Sequence, residues 1–126
     1  MAWHRKLSSK FGNKRTELAG RSFMSKGEAD CYLYLKALQD AGEISDLQCQ
    51  VTVRLTAAQL RWVLDFKYLD MNDGREYYAD FKGFETSRWR ELKKLWVHYG
   101  DATLRVYKGS GMRMRVAEEI TPKGEV

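Results

Sequence analysis

Residues 60–84, LRWVLDFKYLDMNDGREYYADFKGF, decide the fold. Successive side chains of a strand point to opposite faces. Leu60, Trp62, Leu64, Phe66 and Tyr68 therefore share one face, and Arg61, Val63, Asp65 and Lys67 the other. Asn72-Asp73-Gly74 is a hairpin signal. The chain then returns as a strand with Tyr77, Ala79 and Phe81 on one side and Asp80 and Lys82 together on the other. If Asp73-Gly74 is a two-residue loop, Asn72 pairs with Arg75 and Asp65 stands across from Lys82. A four-residue loop sets Asp65 across from Asp80 instead. Either register gathers Asp65, Asp80 and Lys82, and a one-residue slip would turn Tyr77 and Phe81 out of the core.

Working outward, Ser25 opens a helix whose apolar residues Ala29, Leu33 and Ala37, with Tyr34, Leu35 and Leu38 beside them, form a stripe ending at Gly42. From Ile44 the period becomes two, with Leu47, Cys49, Val51, Val53 and Leu55 alternating with polar residues as in a half-buried strand. After the hairpin, Thr86 or Ser87 caps a second helix bearing Trp89, Leu92, Trp96 and Tyr99. Strands at 102–108 and 112–117 close the pattern. The order helix, three strands, helix, one or two strands specifies an α+β domain with a small central mixed sheet flanked by helices.

The chain has 126 residues, 44% hydrophobic and 31% charged, with one proline and no repeat or low-complexity linker, which fits a single globular domain. No apolar run reaches the roughly 18 residues of a membrane span, and the basic N-terminus lacks the apolar stretch of a signal peptide. Cys31 and Cys49 read as small buried hydrophobes of a reducing, intracellular protein. The net charge of +5 is uneven: residues 1–26 hold seven Lys or Arg against Glu17, and the rest is close to neutral. Residues 1–24 read as a basic arm, suited to a phosphate backbone or simply solvated; 25–117 as the domain; and 118–126 as a flexible tail.

His4 and His98 lack partners at zinc-ligand spacing, and neither a Ser–His–Asp arrangement nor a phosphate-cradling Gly-rich loop is present. The chemistry rests on the hairpin. Asp65 and Asp80 repel unless positive charge sits between them. Lys82 supplies part of it, and a divalent cation with oxygen ligands, Mg²⁺ or Mn²⁺, would supply more. A solvated ion-pair ladder on a sheet face accounts for the same residues without any metal.

The segments LDFKY at Asp65 and ADFKGF at Asp80 to Lys82 resemble the core of the PD-(D/E)xK nuclease superfamily, which has a restriction-endonuclease-like fold. Together with FMSKGEADCYLYLKAL upstream and LKKLW downstream, they resemble a family of small uncharacterised phage proteins. Those proteins are placed in that superfamily as endonucleases near phage Holliday-junction resolvases, over roughly residues 10–108. The resemblance implies Asp65 and Asp80 as metal ligands, Lys82 as the catalytic lysine and Glu28 as a further carboxylate of the metal site. Leu64 replaces the eponymous proline, and Asp80 stands where many members have Glu. Glu28 also fits a capping box with Ser25, which needs no metal.

The implied function is Mg²⁺- or Mn²⁺-dependent hydrolysis of branched or duplex DNA, as a homodimer if a resolvase, in phage recombination or DNA processing in the host cytoplasm. A DNA-binding accessory protein that keeps the nuclease fold without activity is the alternative. Lys10, Lys14, Arg15, Lys26, Arg88, Arg90, Lys93 and Lys94 are the candidate DNA-backbone contacts; the last four also fit a solvated helix face.

Overall fold

The computed structural model describes residues 16–18, 21–23 and 25–123. Two short antiparallel strands, β1 (Thr16–Leu18) and β2 (Arg21–Phe23), precede helix α1 (Lys26–Asp40). Strands β3 (Ile44–Leu55), β4 (Leu60–Asp70) and β5 (Arg75–Phe81) follow, then α2 (Ser87–Tyr99), β6 (Thr103–Lys108) and β7 (Arg115–Ile120). The main sheet has the order β3-β4-β5-β6-β7. Only β5 and β6 pair in parallel, joined by the α2 crossover, so the sheet is mixed and the fold is α+β, as the sequence pattern requires.

Two apolar clusters hold the layers together. One packs Ala29, Cys31, Tyr32 and Leu35 of α1 on Phe66, Tyr68, Tyr77 and Ala79. The other packs Trp89, Leu92 and Trp96 of α2 on Leu55, Leu64, Tyr78, Leu104 and Val106. Each helix starts on a side-chain cap: Ser25 Oγ accepts from the Glu28 N–H and Thr86 Oγ1 from the Trp89 N–H, both at 3.1 Å. Gly27 admits the Phe81 ring so closely that a Cβ there would lie 2.1 Å from it, which seats the first turn of α1 against the end of β5. Gly100 does the same for the Trp96 ring.

The hairpin register is the four-residue one. Asp70 pairs with Arg75, and Met71 to Gly74 form the loop, with Gly74 at φ +72°. Four expectations change. The buried stripe of α1 runs through Glu28, Ala29, Cys31, Tyr32 and Leu35, a closer match to i, i+3, i+4 spacing, and it leaves Leu33 and Ala37 exposed. Residues 16–18 and 21–23 are paired strand rather than arm, and the Phe23 ring packs 5.2 Å from Tyr32. Tyr99 lies exposed at the end of α2.

At the C-terminus the last strand begins at Arg115, after a 3₁₀ turn at Gly111–Arg113, and runs to Ile120. Residues 118–123 are thus part of the fold, not a tail. Ile120 is buried and the Lys123 N–H donates to the Val97 carbonyl at 2.7 Å. This edge strand shows no apolar alternation, because it is held by its ladder and by the ion pairs of Glu118 and Glu119.

Candidate functional site

The site forms where two strands part. The β4–β5 ladder runs from Asp70↔Arg75 to Phe66↔Ala79 and stops there. In the fork, side chains replace backbone partners: Asp80 Oδ1 accepts from the Asp65 N–H at 2.9 Å, and Asp65 Oδ2 accepts from the Phe81 N–H at 2.8 Å. On the other side of β4 the register skips Gln50↔Asp65, and Gln50 adopts φ +57°. A left-handed residue reverses the alternation of a strand. Accordingly Cys49 and Phe66 pack toward α1, whereas Val51 and Leu64, two residues further out, pack toward α2. Lys67 thereby parts from Asp65 and lies over the Tyr78 ring.

The same place receives Glu28. Its position on the buried stripe of α1 brings the carboxylate to the sheet, where Oε2 accepts from Gln50 Nε2 at 2.7 Å. Ser25 caps the Glu28 N–H, so half of the capping box is present while the carboxylate reaches the fork. Lys82 Nζ is 2.9 Å from Asp80 Oδ2 and 4.6 Å from the centre of the Trp89 ring, which shields one side of the ammonium. Glu28 and Asp80 are buried.

Electrostatics shows how crowded the carboxylates are. Burial pushes the Asp65 carboxyl well above the usual carboxylate range; the charges of Asp80 and then Glu28 push it further, against the Phe81 N–H, which favours the ionised form. The Cys31 thiol beneath them is likewise pushed up, by burial first and then by Asp65, Asp80 and Glu28. Three carboxylates thus act on one buried spot, and among the described residues Lys82 is the ammonium paired there, with Asp80.

Among the described residues, no three His, Cys, Asp or Glu side chains form a ready-made ion cage. Mg²⁺, however, needs only one or two carboxylates beside water. The oxygen donors of Asp65, Asp80 and Glu28 are of the type a hard divalent cation takes, although as they stand the three do not form a group that holds an ion.

Of the expected site residues, Asp65, Asp80 and Lys82 come together at the fork, and Glu28, held by Gln50, is near enough to act on the Asp65 charge. The expected DNA contacts divide. Arg88 is exposed and lies 4.9 Å from the Trp62 ring centre; Arg90 and Lys94 are exposed. Lys26 is exposed but pairs with Asp30 at 3.2 Å. Lys93 is shared between Glu85 and Glu118, so its charge is already answered within the fold. Lys10, Lys14 and Arg15 lie outside the described residues. Sequence reasoning missed Gln50, for which the pattern gives no signal, since glutamine has no special liking for the left-handed region. It also read Trp89 only as core, although a tryptophan seven residues after a lysine across a helix start is placed to meet it.

The membrane expectation stands in a limited form: no helix among the described residues is long and apolar enough to cross a bilayer. No curated protein and no solved structure matches the chain significantly. A family model does match, over residues 8–110, most of the chain and all of the site. The chain belongs to that family, described as a protein of unknown function (DUF1064).

Proposed function

We propose that this protein is a metal-dependent DNA endonuclease, selective for branched or duplex DNA, with its site at the β4–β5 fork. The observation that supports the reading is the linkage of Asp65 and Asp80 beside a lysine, with Glu28 of a third element adding its charge to Asp65. A structural ion pair needs one carboxylate, Asp80 with Lys82; the added charge of Asp80 and Glu28 on Asp65 raises its carboxyl after burial has done so, a cost that a ligand would relieve.

Asp65 and Asp80 would hold a Mg²⁺ or Mn²⁺ ion, with Glu28 completing the set. Such an ion supplies Lewis-acid polarisation of a phosphodiester and acidifies water in its reach. Lys82, held by Asp80 Oδ2 and the Trp89 face, offers its ammonium to the charge that grows on the phosphate. The backbone bonds from Phe81 to Asp65 and from Asp65 to Asp80 fix both carboxylates, so little reorganisation is needed as substrate arrives. Intracellular action and a homodimer that cuts paired strands belong to the same proposal.

A second reading draws on those same two bonds. Carboxylates already satisfied by backbone N–H groups would also serve a DNA-binding protein that keeps the fold and does not cut. Incubating four-way junctions, flaps and duplexes with the protein in Mg²⁺, Mn²⁺ or EDTA separates the two. The proposal expects metal-dependent cutting that Asp80→Asn and Lys82→Ala each reduce by roughly 10² or more. Binding without cutting by the wild type, in either metal, would leave only the accessory role.

A further inference from the structure

Beyond the Gln50 reversal, the outer half of the β3–β4 hairpin has one covered face and one bare face. Val51, Val53, Leu55, Trp62 and Leu64 turn toward α2 and its cluster. Thr52, Arg54, Arg61 and Val63 turn the other way and are all exposed. Arg54 and Arg61 are direct cross-strand partners. Like charges in that arrangement repel, and neither arginine forms an ion pair with any described residue. Most other cations near the sheet are answered, Lys82 by Asp80, Arg105 by Asp70 and Glu119, Lys108 by Glu85, with Arg115 on β7 an exception among the described residues. The bare face also continues directly from the site, because Val63 and Arg61 follow Asp65 at strand spacing along β4.

We infer that this face is a binding track for the sugar–phosphate backbone of duplex DNA, along which Arg54 and Arg61 grip adjoining phosphates and lead the strand to the carboxylate fork. The inference rests on the nuclease reading for its direction, and it adds a surface that the motif residues do not include. A polyanion removes the Arg–Arg repulsion, and the extended strand pair presents the two arginines side by side across its ladder. Release of condensed counterions then makes the contribution of each arginine readable as salt dependence.

The test is equilibrium binding of a fluorescent duplex and a four-way junction in EDTA, by anisotropy, over a series of salt concentrations. Wild type is compared with the double variant Arg54→Gln/Arg61→Gln. The expected result is roughly tenfold weaker binding by the double variant at 0.1 M salt, and a log–log salt slope shallower by about 2. The melting temperature of the double variant should equal or exceed that of the wild type, since the change removes a repulsion.

An unchanged slope overturns the inference, even in a protein that cuts DNA. So does weakened binding without a change of slope, or absence of DNA binding by the wild type. Tighter, equally arginine-dependent binding of an RNA duplex overturns the choice of DNA. A slope that depends on the arginines in a protein that never cuts overturns only the nuclease reading.

Discussion

Asp65 and Asp70 stand five residues apart on β4, and their surroundings are opposite. Asp70 is met by a cation and by donors: Arg105 Nη1 at 2.8 Å, the Asn72 N–H at 2.9 Å and the Asn72 amide at 3.2 Å. Burial pushes its carboxyl up, but those partners outweigh it and hold it below the usual range. Arg105 in turn bonds the Tyr68 hydroxyl and Glu119, lies 3.5 Å from the Tyr77 ring centre, and Tyr68 shares a hydrogen bond with Tyr107. That end of the sheet is balanced. At the other end Asp65 meets two more carboxylates and is raised well above the usual range. A balanced cluster stabilises the fold, whereas an unbalanced one is kept at a cost and calls for a ligand.

The largest effect should come from breaking the balanced end. Arg105→Met removes the cation from buried Asp70 and strips a donor from the Tyr68–Tyr107 pair. Loss of one partner from a buried pair costs about 3–5 kcal/mol. Urea denaturation at pH 7 checks this, and a loss below about 1 kcal/mol would refute the contrast between the two ends.

The second effect has the opposite sign. A carboxyl whose folded value is raised binds more protons folded than unfolded, so stability declines as pH climbs from about 4, the ordinary Asp value, through the folded value. Asp65→Asn should remove that decline and raise stability at neutral pH by about 1 kcal/mol, while abolishing metal-dependent cutting. Asp70 gives the reverse dependence: its depressed value contributes stability above about pH 4 that is lost as pH falls through the folded value. Denaturation midpoints of wild type and Asp65→Asn at pH 4, 5.5 and 7 separate the two. Parallel curves would show that Asp65 carries no excess charge.

How far the sequence foretells these two ends follows from what pattern can carry. Period and turn chemistry place the strands, the α2 crossover and the gathering of Asp65, Asp80 and Lys82, because alternation and Asn-Asp-Gly act locally, but they leave the choice between a two- and a four-residue loop open. Glu28 is legible only through resemblance, since a capping box accounts for it equally well. The reversal at Gln50 is invisible, being imposed by how β3 bends over two helices rather than by any preference of glutamine. The Arg105 cluster joins residues 68, 70, 105, 107 and 119, which are brought together by sheet order alone. Edge strand β7 is foreseen but set three residues early, because its second half is charged instead of alternating.

The smallest change in stability should come from Gln50, and it is the sharpest probe of the unbalanced end. Gln50→Gly relieves a left-handed conformation that costs a non-glycine residue about 1–2 kcal/mol, but it also frees the unfolded chain, which offsets up to about 1 kcal/mol. The amide's hydrogen bond to buried Glu28 Oε2 is lost as well, which costs about 1 kcal/mol. Net stability should therefore move by less than about 1 kcal/mol. If Gln50 is a positioning residue that aims Glu28 into the fork, cutting should nonetheless fall about 10–100-fold, the usual cost of losing a group that orients a metal-site ligand. Gln50→Asn, which tolerates the same backbone and keeps an amide, should recover part of it. Equal activity in all three proteins, at equal stability, would show that Glu28 finds its place without Gln50 and that the bend in β3 serves the fold alone.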